Sequence, residues 1–114
     1  MDPTLIVTNF KPGSEREIAR LFAQSDATEL PDLIGVQSRR LYTFHDVYIH
    51  LVQGVERKVD ANVTRLHDHP LFQEISKALD DYIIPFTGRW GSVEQASAKQ
   101  FYHWERGLGV IQQP

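Results

Sequence analysis

Val36-Gln37-Ser38-Arg39-Arg40-Leu41-Tyr42-Thr43-Phe44 and Val47-Tyr48-Ile49-His50-Leu51-Val52-Gln53, joined at His45-Asp46, decide how this chain folds. The second run alternates cleanly, with Val47, Ile49 and Leu51 on one side and Tyr48, His50 and Val52 on the other. Gly54 ends it. A two-residue turn at His45-Asp46 pairs Phe44 with Val47, Leu41 with His50 and Arg39 with Val52. Arg39, Leu41, Thr43, Tyr48, His50 and Val52 then share one face of the hairpin. Arg40, Tyr42, Phe44, Val47, Ile49 and Leu51 share the other. Arg39 and His50 become diagonal neighbours, about 7–8 Å apart at the backbone and within reach of long side chains. A turn with an odd residue count would separate them, because a one-residue slip moves every side chain to the opposite face.

Upstream of the hairpin, Leu5 to Phe10 reads as a strand closed by the turn Lys11-Pro12-Gly13. Ser14 and Glu17 have capping-box spacing for a helix whose buried face carries Ile18, Leu21, Phe22 and Ser25. Leu30-Pro31 stops its continuation, because the residue before proline is pushed out of the helical region. Downstream, Val55, Val59, Val63 and Leu66 predict a helix over 55–66. His69-Pro70 opens another, with Leu71, Phe72, Ile75, Leu79 and Tyr82 at helical intervals and Pro85 as its end. Residues 88–98 read as a loop, Gln100 to Trp104 as the last strand, and 107–114 as a flexible tail. The order β-α-β-β-α-β is the ferredoxin-like α+β arrangement, a four-stranded antiparallel sheet with both helices on one face. Its other face must be buried, so the expectation is a homodimer, a dimeric α+β barrel.

The 114 residues suit one domain, 1–106 with the tail beyond. No cysteine is present, which excludes disulfides, thiolate metal sites and thiol nucleophiles. Hydrophobic residues make up 41% and charged residues 24%, an ordinary globular balance. A net charge of −3 argues against nucleic acid or an anionic membrane surface as partner. The longest apolar runs fall far short of a bilayer span, and Met1-Asp2-Pro3-Thr4 lacks the pattern of a signal peptide. A cytoplasmic protein is expected.

Chemistry concentrates around Arg39 and His50. A guanidinium beside an imidazole favours the neutral ring that can accept a proton. If Asp26, at the end of the first helix, reaches the same place, a carboxylate, an imidazole and a fixed cation meet beside Tyr48, Phe22 and Leu21. Such a group suits proton abstraction next to a carbonyl, with the guanidinium holding the enolate that develops. Plainer readings remain open at this stage: His50 as a satisfied core histidine, Arg39 as an edge charge, Asp26 as a turn residue beside Thr28. His45, His50, His67 and His69 bring no third ligand at persuasive spacing, so no metal is expected. Asp68 or His69 is instead expected to cap the helix at Pro70. The sequon Asn62-Val63-Thr64 falls inside a predicted helix. His103 and Trp104 are expected in the last strand and its interface, Trp90 under a loop.

The stretches Asp26-Ala27-Thr28-Glu29-Leu30-Pro31, Ile34-Gly35-Val36, Arg39-Arg40-Leu41, Phe44-His45-Asp46-Val47-Tyr48-Ile49-His50, His69-Pro70-Leu71-Phe72 and Phe101-Tyr102-His103-Trp104 run in one order over about residues 5–105. In this the sequence resembles the small aromatic polyketide cyclases of the tetracenomycin-cyclase type, from actinobacterial type II polyketide pathways. The resemblance implies a ferredoxin-like dimer without cofactor. Its substrate would be a poly-β-ketone or partly cyclised intermediate, free or carrier-protein-bound, with synthase components as possible partners. The implied reaction is intramolecular aldol condensation followed by loss of water. Asp26, Arg39 and His50 take the catalytic positions, and Phe22, Ser25, Leu30, Leu41, Tyr48 and Phe72 the substrate-binding ones. Ser25 stands where the family often has histidine, which removes one acid or base. Two alternatives stay beside this reading: a cofactor-free aromatic polyketide monooxygenase and a non-catalytic template that folds the polyketide.

Overall fold

The computed structural model describes residues 3–54, 59–86 and 93–114. Strand β1, Thr4–Phe10, turns through Gly13, whose φ of 90° is open to glycine, into helix α1, Glu15–Asp26. The expected capping box does not form. The Ser14 hydroxyl donates to the Lys11 carbonyl, the Glu15 carboxylate accepts from the Gly13 amide at 3.0 Å, and Glu17 pairs with Arg20 at 2.8 Å. Helix α1 ends at Asp26, where the Thr28 hydroxyl donates to the Ser25 carbonyl at 2.6 Å and accepts from the Leu30 amide at 3.2 Å. Pro31 then does more than stop a helix. It lies in the first turn of a second one, α2, Leu30–Ile34, which the left-handed Gly35 closes.

Strands β2, Val36–Phe44, and β3, Val47–Gly54, pair antiparallel in the expected register. Phe44 faces Val47, Leu41 faces His50 and Arg39 faces Val52, with an irregularity between Val36 and Ser38. His45 takes the left-handed conformation, φ 54°, that the tight turn needs. Helix α3, Val59–Arg65, lies within the predicted 55–66, and residues 55–58 are outside the described ones. Helix α4, Pro70–Leu79, starts as expected at proline, and His69 Nδ1 accepts from the Leu71 amide at 3.1 Å as its cap.

The main sheet has the order β2-β3-β1-β4 and is antiparallel throughout. Its fourth strand is β4, Ile83–Ile84, paired to β1 through Asn9 and Phe10. The expected last strand at 100–104 is displaced by this pair. Within 88–98, where a loop was expected, Val93–Ala96 forms a short helix, α5. Instead of joining the main sheet, His103–Glu105, β5, pairs with Gly109–Gln112, β6, as a separate ribbon. Residues expected as a tail therefore supply a strand. Trp90 lies outside the described residues.

Helices cover one face of the sheet and build two buried clusters. Phe10, Ile18, Phe22, Tyr48 and Ile83 form one; Leu30, Ile34, Val52, Val59 and Leu66 form the other. On the opposite face Leu5, Val7, Val47, Ile49 and Leu51 are only partly buried, and Tyr42 and Phe44 are exposed. Gly54 sits where β3 passes the second cluster. A Cβ there would collide with Val59 Cγ2 and stand 2.8 Å from the Gly35 carbonyl oxygen. Val59 is β-branched and the Gly35 oxygen is backbone, so neither yields cheaply. Gly54→Ala is expected to destabilise the fold by about 1–3 kcal/mol, read as a lower urea midpoint at unchanged slope.

Candidate active site

Between the two clusters the helices stand off the sheet and leave a cavity of about 460 Å³. Its floor is the inward face of the sheet, where Ile6, Arg39, Tyr48, His50 and Val52 project. Its roof comes from Phe22 and Ser25 of α1, Leu30 and Ile34 of α2, Val59 and Val63 of α3, and α4. Helix α4 explains itself here. Phe72, Ile75 and Leu79 recur at helical spacing and face the sheet, yet none of its residues is buried, because a hollow lies beneath them.

The polar groups meet at Arg39. Its Nε donates to Asp26 Oδ2 at 3.0 Å and its Nη2 to Asp26 Oδ1 at 2.7 Å, a bidentate pair. Its Nη1 reaches His50 Nε2 at 2.9 Å. The guanidinium carbon lies 4.8 Å from the centre of the Phe22 ring, and that ring meets the His50 ring edge to face at 5.1 Å. The carboxylate leans toward solvent, with 37% of its side chain exposed against 15% for Arg39. Burial of the ring, reinforced by the Arg39 charge, pulls the His50 pKa down to about 3, so the imidazole is neutral at physiological pH. Burial pushes the Tyr48 phenol up, against a smaller lowering by Arg39. The Tyr48 and Thr8 hydroxyls are buried without a hydrogen-bond partner among the described residues.

The structure thus brings Asp26, Arg39 and His50 into one hydrogen-bonded cluster. Phe22, Ser25, Leu30, Tyr48 and Phe72 line the cavity, as Arg39 and His50 do. Leu41, expected in the wall, packs instead against the cluster around Phe10 and Tyr48. Leu21 is absent from the lining, and Asp26 reaches the site through Arg39. The sequence reading missed Thr64, His67 and Ser76, polar groups on the side of α3 and α4. For Ser76 a signal existed: it shares the helical stripe of Phe72 and Ile75. The remaining histidines have local partners: His45 meets Phe44, His67 the Thr64 carbonyl, and His103 Glu105.

Such a concave, mostly apolar chamber with a few convergent polar groups is the usual form of a small-molecule site. The sequence matches the polyketide synthesis cyclase family over residues 2–105, and the chain belongs to that family. An uncharacterised protein of Streptomyces coelicolor is 41% identical over 108 residues, covering 93% of this chain and 96% of that one. Tetracenomycin F2 cyclase of Streptomyces glaucescens is 35% identical over 100 residues, 88% of this chain and 91% of the relative. Polyketide synthase CurG of Streptomyces cyaneus is 36% identical over 107 residues, 93% and 99% of the two chains. The solved structure of the Streptomyces glaucescens cyclase, described as a type-II polyketide cyclase, superposes with a TM-score of 0.83 at 33% identity. It covers 92% of this chain and 98% of its own. No helix among the described residues is long and apolar enough to cross a membrane.

The buried neutral histidine has a thermodynamic consequence. Unfolded, His50 binds a proton near its ordinary pKa of 6.5; folded, it does so only near 3. Below pH 6.5 the unfolded chain holds more protons, so this residue's contribution to stability falls as pH drops through that window. A loss on the order of a few kcal/mol is expected between pH 6.5 and 3. Urea titrations across that range should show a flatter profile for His50→Gln, which has nothing to titrate there.

Proposed function

We propose that this protein closes a ring on an aromatic polyketide precursor by intramolecular aldol condensation and loss of water. The observation that carries the reading is the carboxylate–guanidinium–imidazole cluster whose Arg39 and His50 enter the wall of a mostly apolar chamber. A poly-β-ketone, or a partly cyclised intermediate, has methylene protons between two carbonyls, acidic enough for a side-chain base. Drawn from Asp26 and His50, the base takes one such proton, and the electron pair moves onto the carbonyl oxygen near Arg39. The enolate carbon attacks a second carbonyl of the same chain, forming the new carbon–carbon bond. The resulting alkoxide is protonated, and a further α-proton leaves with the hydroxyl as water, which makes the ring aromatic. Ser25, on the roof, is a hydrogen-bond partner for the folded substrate, whether it arrives free or on a carrier protein.

Folding the chain is itself catalysis. Orienting reacting atoms can supply up to about 7–11 kcal/mol, and the aliphatic walls do this without proton transfer. Chemistry adds to orientation, so the variants Asp26→Ala, Arg39→Ala and His50→Ala should each lower turnover about 10²-fold, with altered ring patterns by mass spectrometry and NMR. Three variants with wild-type turnover and regiochemistry, at a pH-independent rate, would leave only a folding template. Oxygen consumption during turnover would identify a monooxygenase instead.

The assembly proposed for this activity is a homodimer joined across the uncovered sheet face. Leu5, Val7, Val47, Ile49 and Leu51, flanked by exposed Tyr42 and Phe44, form a surface that no described helix covers. The β5–β6 ribbon exposes Trp104, Val110 and Ile111, and a lone two-stranded ribbon is marginal in water. A second copy supplies both surfaces with an apolar partner through one two-fold axis. Sedimentation should give a dimer for the wild type and a monomer for Ile49→Asp.

A further inference from the structure

From the hydrogen bonds around Arg39 we infer that the chamber is an oxyanion site, in which His50 serves as a neutral N–H donor and the ligand is bound as its enolate or phenolate. This rests on the proposed polyketide chemistry and assigns the roles within it. A guanidinium has five N–H donors and no acceptor. Across the 2.9 Å contact His50 Nε2 must therefore accept, and the ring proton sits on Nδ1. The lone pair that a basic histidine would use is already occupied by Arg39.

The surroundings hold that state in place. Phe22 lies against both the guanidinium and the imidazole, and Tyr48 on the same strand keeps its proton because its phenol is buried. Asp26 occupies the Nε and Nη2 edge of Arg39 and orients the Nη1 side toward His50. No hydrogen bond ties His50 Nδ1 to another described residue, and the ring lines the cavity. Two guanidinium N–H groups remain beyond the three in use. The imidazole ring stands between its Nδ1–H and Arg39, so the Nδ1–H and the free guanidinium N–H groups point in diverging directions and serve two different oxygens of one keto-enolate ligand. Charge-assisted hydrogen bonds of this kind favour the ionised oxygen over the neutral one. Asp26, the carboxylate of the cluster, is left as the acceptor for the proton.

The probe is 1,8-dihydroxyanthraquinone, a planar keto-phenol whose colour changes on ionisation. Bound to the wild-type protein, its first phenolic ionisation should fall by about one pH unit, equivalent to tenfold tighter binding of the anion. Arg39→Gln and His50→Leu should abolish the shift, and His50→Asn, which keeps a donor near the Nδ1 position, should retain most of it. Nitrogen-15 NMR of the histidine-labelled apo protein should show His50 with a protonated Nδ1 and an unprotonated Nε2, unchanged from pH 5 to 8. A protonated Nε2, or a His50 titration inside that range, overturns the donor assignment whatever the variants do. Probe binding without an ionisation shift overturns the oxyanion site and leaves the cyclase reading standing. A wild-type protein that binds no probe overturns both.

Discussion

Side chains alternate along a strand, so the length of the turn at His45-Asp46 determines which residues of the hairpin face the helices. With two residues in the turn, Arg39 and His50 both point inward, and the rest of the site follows. A guanidinium on the covered face of a sheet cannot stay without an anion. Asp26 meets that need because helix α1 ends where it does, and Thr28 ends the helix by taking up the Ser25 carbonyl. The remaining Nη1 edge then meets the imidazole at 2.9 Å. The strand register places Arg39 and His50, and the position of the helix end completes the cluster.

The chamber depends on rigidity around a space that is not filled. Apolar side chains on α4 face a hollow, so they contribute less to stability than the same stripe would in a close-packed core. What keeps the helices from collapsing onto the sheet is packing at the two ends. Phe10, Ile18 and Ile83 close one end; Leu30, Ile34, Val52 and Val59 close the other. At the second end, Gly54 lets β3 pass close beneath Val59 and the Gly35 carbonyl. Asn62 reinforces this by donating to the Ile34 carbonyl at 2.7 Å, tying α3 to the end of α2. The cavity is the volume left between two well-packed ends.

The hairpin, its register and the inward cluster were legible because period-two alternation and a short turn leave little freedom. Helices α1 and α4 were legible from their apolar stripes. What failed was local chemistry with more than one outlet. Ser14 had the spacing of a capping residue, but its hydroxyl found the Lys11 carbonyl inside the preceding turn. Strand β4 is two residues long, too short to carry any pattern, and Pro85 next to it suggested only an end. The aromatic run at 100–104 had strand composition without a place in the main sheet, and it entered a ribbon with residues 109–112 instead. Leu41 shared the inward face with Arg39, yet pleat alone does not distinguish the cavity wall from the core beside it. Thr64, in the last turn of α3, and His67, just past its end, reach the cavity only through tertiary packing.

A site of this kind separates two tasks that a single residue would perform badly. An imidazole serving as base would become a cation, next to a guanidinium and in a buried wall, and both conditions oppose that charge. Donation from the neutral ring avoids it, since no new positive charge forms near Arg39. The carboxylate already carries the opposite charge, balanced by Arg39, and sits nearer solvent. On the proposed chemistry, a flexible substrate with one oxygen fixed at the cationic end would leave only the shape of the apolar walls to decide which carbon meets which carbonyl. On that proposal, regiochemistry would be a property of Leu30, Ile34, Val63 and Phe72, and the polar cluster would supply the reactivity common to every fold of the substrate.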